Sequence, residues 1–313
     1  MNCSRRQEQR GDRLIDILTD EASGVRLMVS RLGAELVSIA RRNKAGEWIG
    51  FLHRDNELTP PAQGWANHAT VMGYFLHRLK DGHSLYRGQE IKGGTHSFLR
   101  SKTWHLLDPD KTAEATLTYR VTPDDFTPAE YPLKVSLDLT YRLENGALLT
   151  EFVFRNAEPE LTAHVGFGLH PGFASSSFGS FQFRMPPGRY RRHLAPANYL
   201  SGETEEIEFS GGPMPFRRED LPGSFILELL DVPDRQFSFL DPPSGREIGI
   251  DLGGVPYLTL WSDGGPFLCV EPCWGLTDRH QQQPFEEKEG IQRIAPGDSL
   301  KAGFRLRPEL INH

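Results

Sequence analysis

Cysteine is scarce in these 313 residues: Cys3, Cys269 and Cys273 are the whole complement. Three thiols build no disulfide framework, and an odd number suits a reducing compartment. No second pair of Cys or His stands at the spacing of a structural metal site, so no metal is expected. Long apolar runs are missing as well. Nothing approaches the roughly 20 residues a membrane span needs, and the polar opening MNCSRRQEQRGDR lacks the apolar stretch of a secretory signal. Nor is there an excess of positive charge. Thirty-five Lys and Arg against 42 Asp and Glu leave a formal charge of −7, which argues against affinity built on neutralising phosphates. These absences lead to the expectation of a cytoplasmic protein with no nucleic-acid or membrane partner. The sequence sets no oligomeric state.

Long amphipathic helices, fixed-period repeats and low-complexity linkers are also lacking. What the chain has instead is a period of two. KVSLDLTYRL (134–143) and ALLTEFVFRN (147–156) alternate on either side of Asn145-Gly146, the pair a tight hairpin turn favours. RQFSFLD and REIGIDL flank PPSG in the same manner, and GVRLMVS, AELVSIARRN and EWIGFLH read as a meander. The 31 glycines and 23 prolines fall mostly between such runs, as turn residues should. The reading is an all-β chain: a large antiparallel two-sheet β-sandwich forming one domain over residues 13–313, with residues 1–12 as a flexible tail.

Two stretches carry side chains that chemistry could use. In TAHVGFGLHPGF (162–173), alternation puts Val165, Phe167 and Leu169 on a core face and His164, Gly166, Gly168 and His170 on the other. Glycines on that second face leave room for a ligand against the sheet, and Pro171 is expected to end the strand with His170 at its rim. In PFLCVEPCWG (266–275), Glu271 follows an apolar run and precedes Pro272, again at an expected strand end, with Trp261 and Trp274 nearby as aromatic faces. Arg78 interrupts the apolar run GYFLHRLKDG, and His96 sits in GGTHSFLRSKTWHL where a loop enters a strand. Taken singly, each has a plain structural explanation: a surface histidine, a solvated carboxylate, a snorkelling arginine, a loop histidine.

Taken in order, HRLKDG, THSFLRSKTW, GLHPGF and VEPCWG resemble the motifs of the aldose 1-epimerases, the galactose mutarotases and their relatives. The closing EEKEGIQRIAPGDSLKAGFRL is similar to that family's last segment, and the likeness runs from about residue 14 to the end. It is nearest to the shorter bacterial-type members. The resemblance implies the family's antiparallel sandwich with an open cleft and a small sugar as partner. It also implies a mechanism without metal or cofactor, with His170 as general acid, Glu271 as general base, and His96 and Arg78 binding sugar hydroxyls. Three departures stand out. Ser97 follows the first histidine where the family usually has Gly, and His77 precedes the arginine where it has a small residue. The family's further sugar-binding carboxylate has no clear match among Glu228, Asp231 and Asp234.

The implied reaction opens the hemiacetal ring. The anomeric hydroxyl loses a proton, the ring oxygen gains one, and the open aldehyde recloses on either face. A carboxylate and an imidazolium near their ordinary pKa values would suit it. Burial would lower the histidine and a nearby Glu271 carboxylate would raise it. Two alternatives remain beside this reading. One is a mutarotase for a hexose 6-phosphate, suggested by Arg184, Arg189, Arg191 and Arg192 in FRMPPGRYRRH; the other is a non-catalytic carbohydrate-binding protein. A glycosidase would need a second carboxylate in a site-like context.

Overall fold

The computed structural model of the chain describes residues 3–108, 115–215, 219, 221 and 223–311. Nearly all of the regular structure is antiparallel strand. Among the described residues the helical elements are short 3-10 turns. Asn145 and Gly146 take φ of 51° and 73°, the left-handed pair of a two-residue hairpin, and they join Val135–Glu144 to Ala147–Asn156 in full register. The strands Gln236–Asp241 and Arg246–Asp251 pair in the same way around PPSG.

Three sheets share the core. A five-stranded meander runs from Cys3 to Gly50, a nine-stranded sheet is centred on the 135–156 hairpin and Ser299–Leu310, and an eight-stranded sheet carries the site. The last is ordered Thr204–Phe209, Gly188–His193, Phe225–Asp231, Tyr257–Trp261, Phe267–Trp274, Ala163–Ala174 and Gln292–Ile294, with Ala69–Tyr74 also paired to Ala163–Ala174. The two larger sheets meet through aromatic rings. Phe152 and Phe154 of one pack on Phe167 of the other, and Phe167 stacks on Trp274 with centroids 5.0 Å apart. Val165, Phe167 and Leu169 are fully buried in that layer, as alternation requires. Trp274 is therefore core and offers no face to a ligand.

The first strand corrects one expectation. Cys3–Arg10 is no loose tail but an edge strand, paired residue by residue with Arg13–Asp20. Its side chains are exposed or half-buried on both faces. An edge strand wetted on both sides keeps polar residues at every position, so hydropathy reads it as a tail.

The prolines correct a second. Pro171 and Pro272 do not end their strands; Ala163–Ala174 and Phe267–Trp274 run through them. Pairing between these strands stops at residues 169–171 and 270–272, then resumes at Gly172 and Cys269 in the register it had at Gly168 and Cys273. Proline donates no ladder hydrogen bond, and the interruption accommodates one on each strand. In that unbroken register His170 and Glu271 stand opposite each other.

The glycines correct a third. A Cβ on Gly168 would lie 2.4 Å from the Pro272 carbonyl oxygen, and one on Gly166 would touch Ile291 and Leu76 at 3.6 and 3.7 Å. The glycine face is thus filled by protein, with no room left there for a sugar. Gly168→Ala should destabilise the fold by about 1–3 kcal/mol, because the obstacle is backbone. Gly166→Ala should cost less than about 0.5 kcal/mol. Denaturant titration of both variants checks the contrast, and equal losses would contradict the packing account.

Candidate active site

Parity along paired strands sets out the floor of the site. Thr70, His170, Glu271 and Thr259 occupy directly opposed positions on four neighbouring strands, so their side chains rise from one face. Above that row lies a cavity of about 390 Å³, whose lining includes His170, Glu271, Arg78 and His96. All four residues singled out from sequence meet there, although they come from four separate segments. His164 does not join them. Its ring bonds to the Tyr86 hydroxyl at 3.1 Å, and its carbonyl accepts from the Tyr131 hydroxyl at 2.8 Å, so it belongs to the core.

His170 Nε2 lies 3.2 Å from Glu271 Oε1, and both residues are buried. Burial dominates their protonation. It pushes the imidazole down to about 3, with His77 and Arg100 adding repulsion, and it pushes the Glu271 carboxyl well above its ordinary value. The expectation that both groups would stay near ordinary values does not hold. Two neutral groups are cheaper to bury than an imidazolium and a carboxylate. Burial thus favours the neutral form of each group, with a proton on Glu271 rather than on His170. His170 Nδ1 and Glu271 Oε2 are buried with no side-chain hydrogen-bond partner.

His96 is held by reciprocal backbone bonds. The His77 N–H donates to His96 Nδ1 at 3.2 Å, and the His96 N–H donates to the His77 carbonyl at 2.8 Å. Burial, with repulsion from His170 and His77, keeps His96 neutral. A neutral ring whose Nδ1 accepts carries its proton on Nε2, so His96 offers the cavity a donor. His77, noted from sequence only as a departure, also lines the cavity and is lowered to about 4, mainly by burial. The turn that presents these rings needs unusual backbone: His77, His96 and Ser97 take φ of 53°, 61° and 66°. Ser97 thus adopts at a cost the conformation that glycine takes freely.

Trp65 gave no signal in the sequence. Its indole stacks on His170 with centroids 5.0 Å apart and meets the Trp261 edge at 6.0 Å, and both tryptophans line the cavity. Gly172 makes room for it, since a Cβ there would lie 2.4 Å from the indole. Arg100 was passed over too, although it lies inside the quoted THSFLRSKTW. Glu228, by contrast, is spent on Arg191 at 3.1 Å and His193 at 3.0 Å. Neither it nor Asp231 nor Asp234 lines the cavity. None of the arginines of 183–193 lines the cavity; Arg191 pairs with Glu206 and Glu228 and Arg192 with Glu205. Among the described residues, His77, Glu271 and Cys273 are the one cluster of metal-ligating types, with ligand atoms within 4.8 Å of one another. Burial raises the Cys273 thiol, so a metal there would first have to displace its proton.

Residues 16–185 match the family model for aldose 1-epimerase. No curated protein matches the chain. Several solved structures share the fold. A galactose mutarotase related enzyme from Lactobacillus acidophilus is 22% identical with a TM-score of 0.80, over 99% of this chain and 100% of that one. A galactose mutarotase-like protein from Lactobacillus casei is 18% identical with a TM-score of 0.77, over 97% and 100%. A galactose mutarotase-like protein from Clostridium acetobutylicum is 15% identical with a TM-score of 0.74, over 99% of each chain. With the family model covering more than half of the sequence and these folds spanning nearly all of it, the chain belongs to the aldose 1-epimerase family.

Proposed function

We propose that the cavity interconverts the α and β anomers of an aldose, with Glu271 as the base at the anomeric hydroxyl and His170 as the acid at the ring oxygen. The observation that carries this is the 3.2 Å approach of Nε2 to Oε1 in the wall of one cavity. The anomeric and ring oxygens sit on the same carbon. Groups that serve both in one event must therefore be neighbours, not partners across a wide cleft.

The proton account balances. From the form with Glu271 ionised and His170 protonated, the anomeric O–H proton passes to the carboxylate and the bond from the anomeric carbon to the ring oxygen breaks. The imidazolium proton then ends on that oxygen. The aldehyde rotates, recloses on its other face, and the transfers reverse. Ring opening thus leaves both groups neutral, the state that burial favours. A raised carboxyl is the stronger base and a lowered imidazolium the stronger acid, so burial adds driving force to opening. In exchange, the reactive ion pair is less populated. Arg78, His96, Trp65 and Trp261 line the cavity; in this reading Arg78 and the Nε2–H of His96 hold hydroxyls and the tryptophans give apolar faces to the ring. No other carboxyl from the described residues lines the cavity, which does not favour a glycosidase.

His170→Asn and Glu271→Gln should each lower kcat/KM by roughly 10²–10⁴ while the fold is kept. Polarimetry on freshly dissolved α-glucose and α-galactose reads the rates and circular dichroism the fold. Near-wild-type rates in both variants would remove the assignment, and sugar binding without turnover in the wild type would favour a pure binding protein.

The pH profile gives an independent check. A second proton enters the pair only near pH 3, and the one on Glu271 leaves only when its raised carboxyl ionises. The free-enzyme kcat/KM should therefore fall on the acid side only toward about pH 3, and decline on the alkaline side as Glu271 ionises above its ordinary value. A fall centred on the ordinary histidine value near 6.5 would show that His170 titrates freely.

A further inference from the structure

We propose that His77, Glu271 and Cys273 bind a thiophilic divalent cation of the Zn²⁺ class in the wall of the cavity, and that the bound ion switches the site off by engaging the Glu271 carboxylate. The binding site stands on its own residues; only its effect on turnover rests on the mutarotase reading.

Two segments bring the three donors together. Glu271 and Cys273 stand two apart on the strand Phe267–Trp274, so both side chains rise from the same face of the sheet. His77 comes from the turn after Ala69–Tyr74 and is fixed at its backbone by the reciprocal bonds with His96. One ligand atom from each residue lies within 4.8 Å of the other two. Around an ion with bonds of about 2.0–2.3 Å, tetrahedral donors lie about 3.3–3.8 Å apart, so the group closes by about 1–1.5 Å at most. Thr259 stands between them, its Oγ1 3.5 Å from His77 Nε2 and 3.9 Å from Cys273 Sγ. Both contacts are long, and neither ties up the imidazole or the thiol strongly.

The carboxyl supplies an independent ground. Among the described residues Glu271 Oε2 has no hydrogen-bond partner, although its side chain is buried. An orphaned buried acceptor is costly, and a cation shared with the neighbouring thiol and imidazole would satisfy it. The donor set selects the ion. Thiolate, imidazole and carboxylate suit Zn²⁺, whereas Mg²⁺ and Ca²⁺ ask for oxygen. Coordination takes the thiol and carboxyl as anions, releases their two protons to solvent and takes the imidazole neutral. Two negative donors then cancel the two charges of the ion, so the buried complex is neutral overall. His77 and Glu271 line the cavity and Cys273 does not, so the ion enters from the cavity side and keeps its fourth position there. A carboxylate held by the ion accepts no proton from a sugar, which is why occupation silences the base. The site also gives a role to His77, which the sequence showed only as a departure.

The experiment is equilibrium dialysis of the reduced chain against Zn²⁺ and Mg²⁺, followed by mutarotation of glucose with and without Zn²⁺. The wild type should retain one Zn²⁺ that Mg²⁺ does not displace. Cys273→Ala and Glu271→Gln should each weaken Zn²⁺ binding by more than the roughly 10–100-fold that loss of an outer-shell partner costs. Zn²⁺ should stop wild-type turnover and EDTA restore it, while Cys273→Ala turns over near the wild-type rate with or without the ion. Should the alanine variant fail to fold, the ultraviolet charge-transfer band of a thiolate on Cd²⁺ decides. It should form in Cys3→Ser, which removes the partly exposed thiol, and vanish when Glu271→Gln is added. No bound Zn²⁺, or binding untouched by these substitutions, overturns the site, and full turnover with Zn²⁺ bound overturns the switch. If no sugar is interconverted, the mutarotase reading fails on its own, and the dialysis still decides this one.

Discussion

The site depends on one cross-strand opposition. His170 and Glu271 are a hundred residues apart in the chain, and the register of Ala163–Ala174 on Phe267–Trp274 sets them face to face. That register is over-determined. On the opposite face Phe167 stacks on Trp274, and a slip of one residue would turn those rings to the wrong side of the sheet. On the site face Gly168 admits the Pro272 carbonyl where any side chain would collide. The two prolines open the ladder only where the imidazole and carboxyl stand, so this pair occupies a gap that the core around it holds in place. Stability and chemistry share these contacts, which is why the strand carrying His170 is buried almost end to end.

Much of this could be read in the sequence because β structure writes its faces in a period of two. The hairpin at Asn145-Gly146, the core triad of Val165, Phe167 and Leu169, and the meander of residues 24–53 follow from alternation and turn chemistry alone. Alternation says which side a residue faces, but not what lies above it. Gly166 and Gly168 read as an open floor, yet Leu76, Met72 and the Pro272 backbone fill them. The space given up by glycine is used instead at Gly172, for an indole that no local pattern announces. Proline likewise reads as a strand end because the sequence does not show whether a neighbouring strand needs its N–H. Arg191 and Arg192 read as free cations for a related reason. Their partners, Glu205 and Glu206 on the next strand and Glu228 on the other side, become visible only once strands are paired.

The electrostatics of the cavity follow from burial more than from pairing. His77, His96 and His170 are all enclosed, and each loses its charge because an imidazolium there would give up its water. Three neutral rings side by side form a bed of hydrogen-bonding groups without mutual repulsion. Lys288 obeys the same rule, lowered to about 7 by burial although Asp278 lies against it. The permanent positive charge is confined to the exposed arginines at the cavity wall, where water can still reach it.

This division of labour suits a reaction that neither consumes nor releases a proton. Ring opening moves one proton off the sugar and another onto it, and reclosure undoes both. A catalyst for such a swap needs a fixed store of one proton and two places to keep it. An acid and a base separated by solvent could each exchange with water and fall out of step. A buried imidazole and carboxyl in direct contact cannot do so readily, because changing the total would place an uncompensated charge in a low-dielectric wall. In the proposed reaction, enclosure of the pair therefore does more than shift two pKa values: it would keep the proton count constant from one anomer to the other.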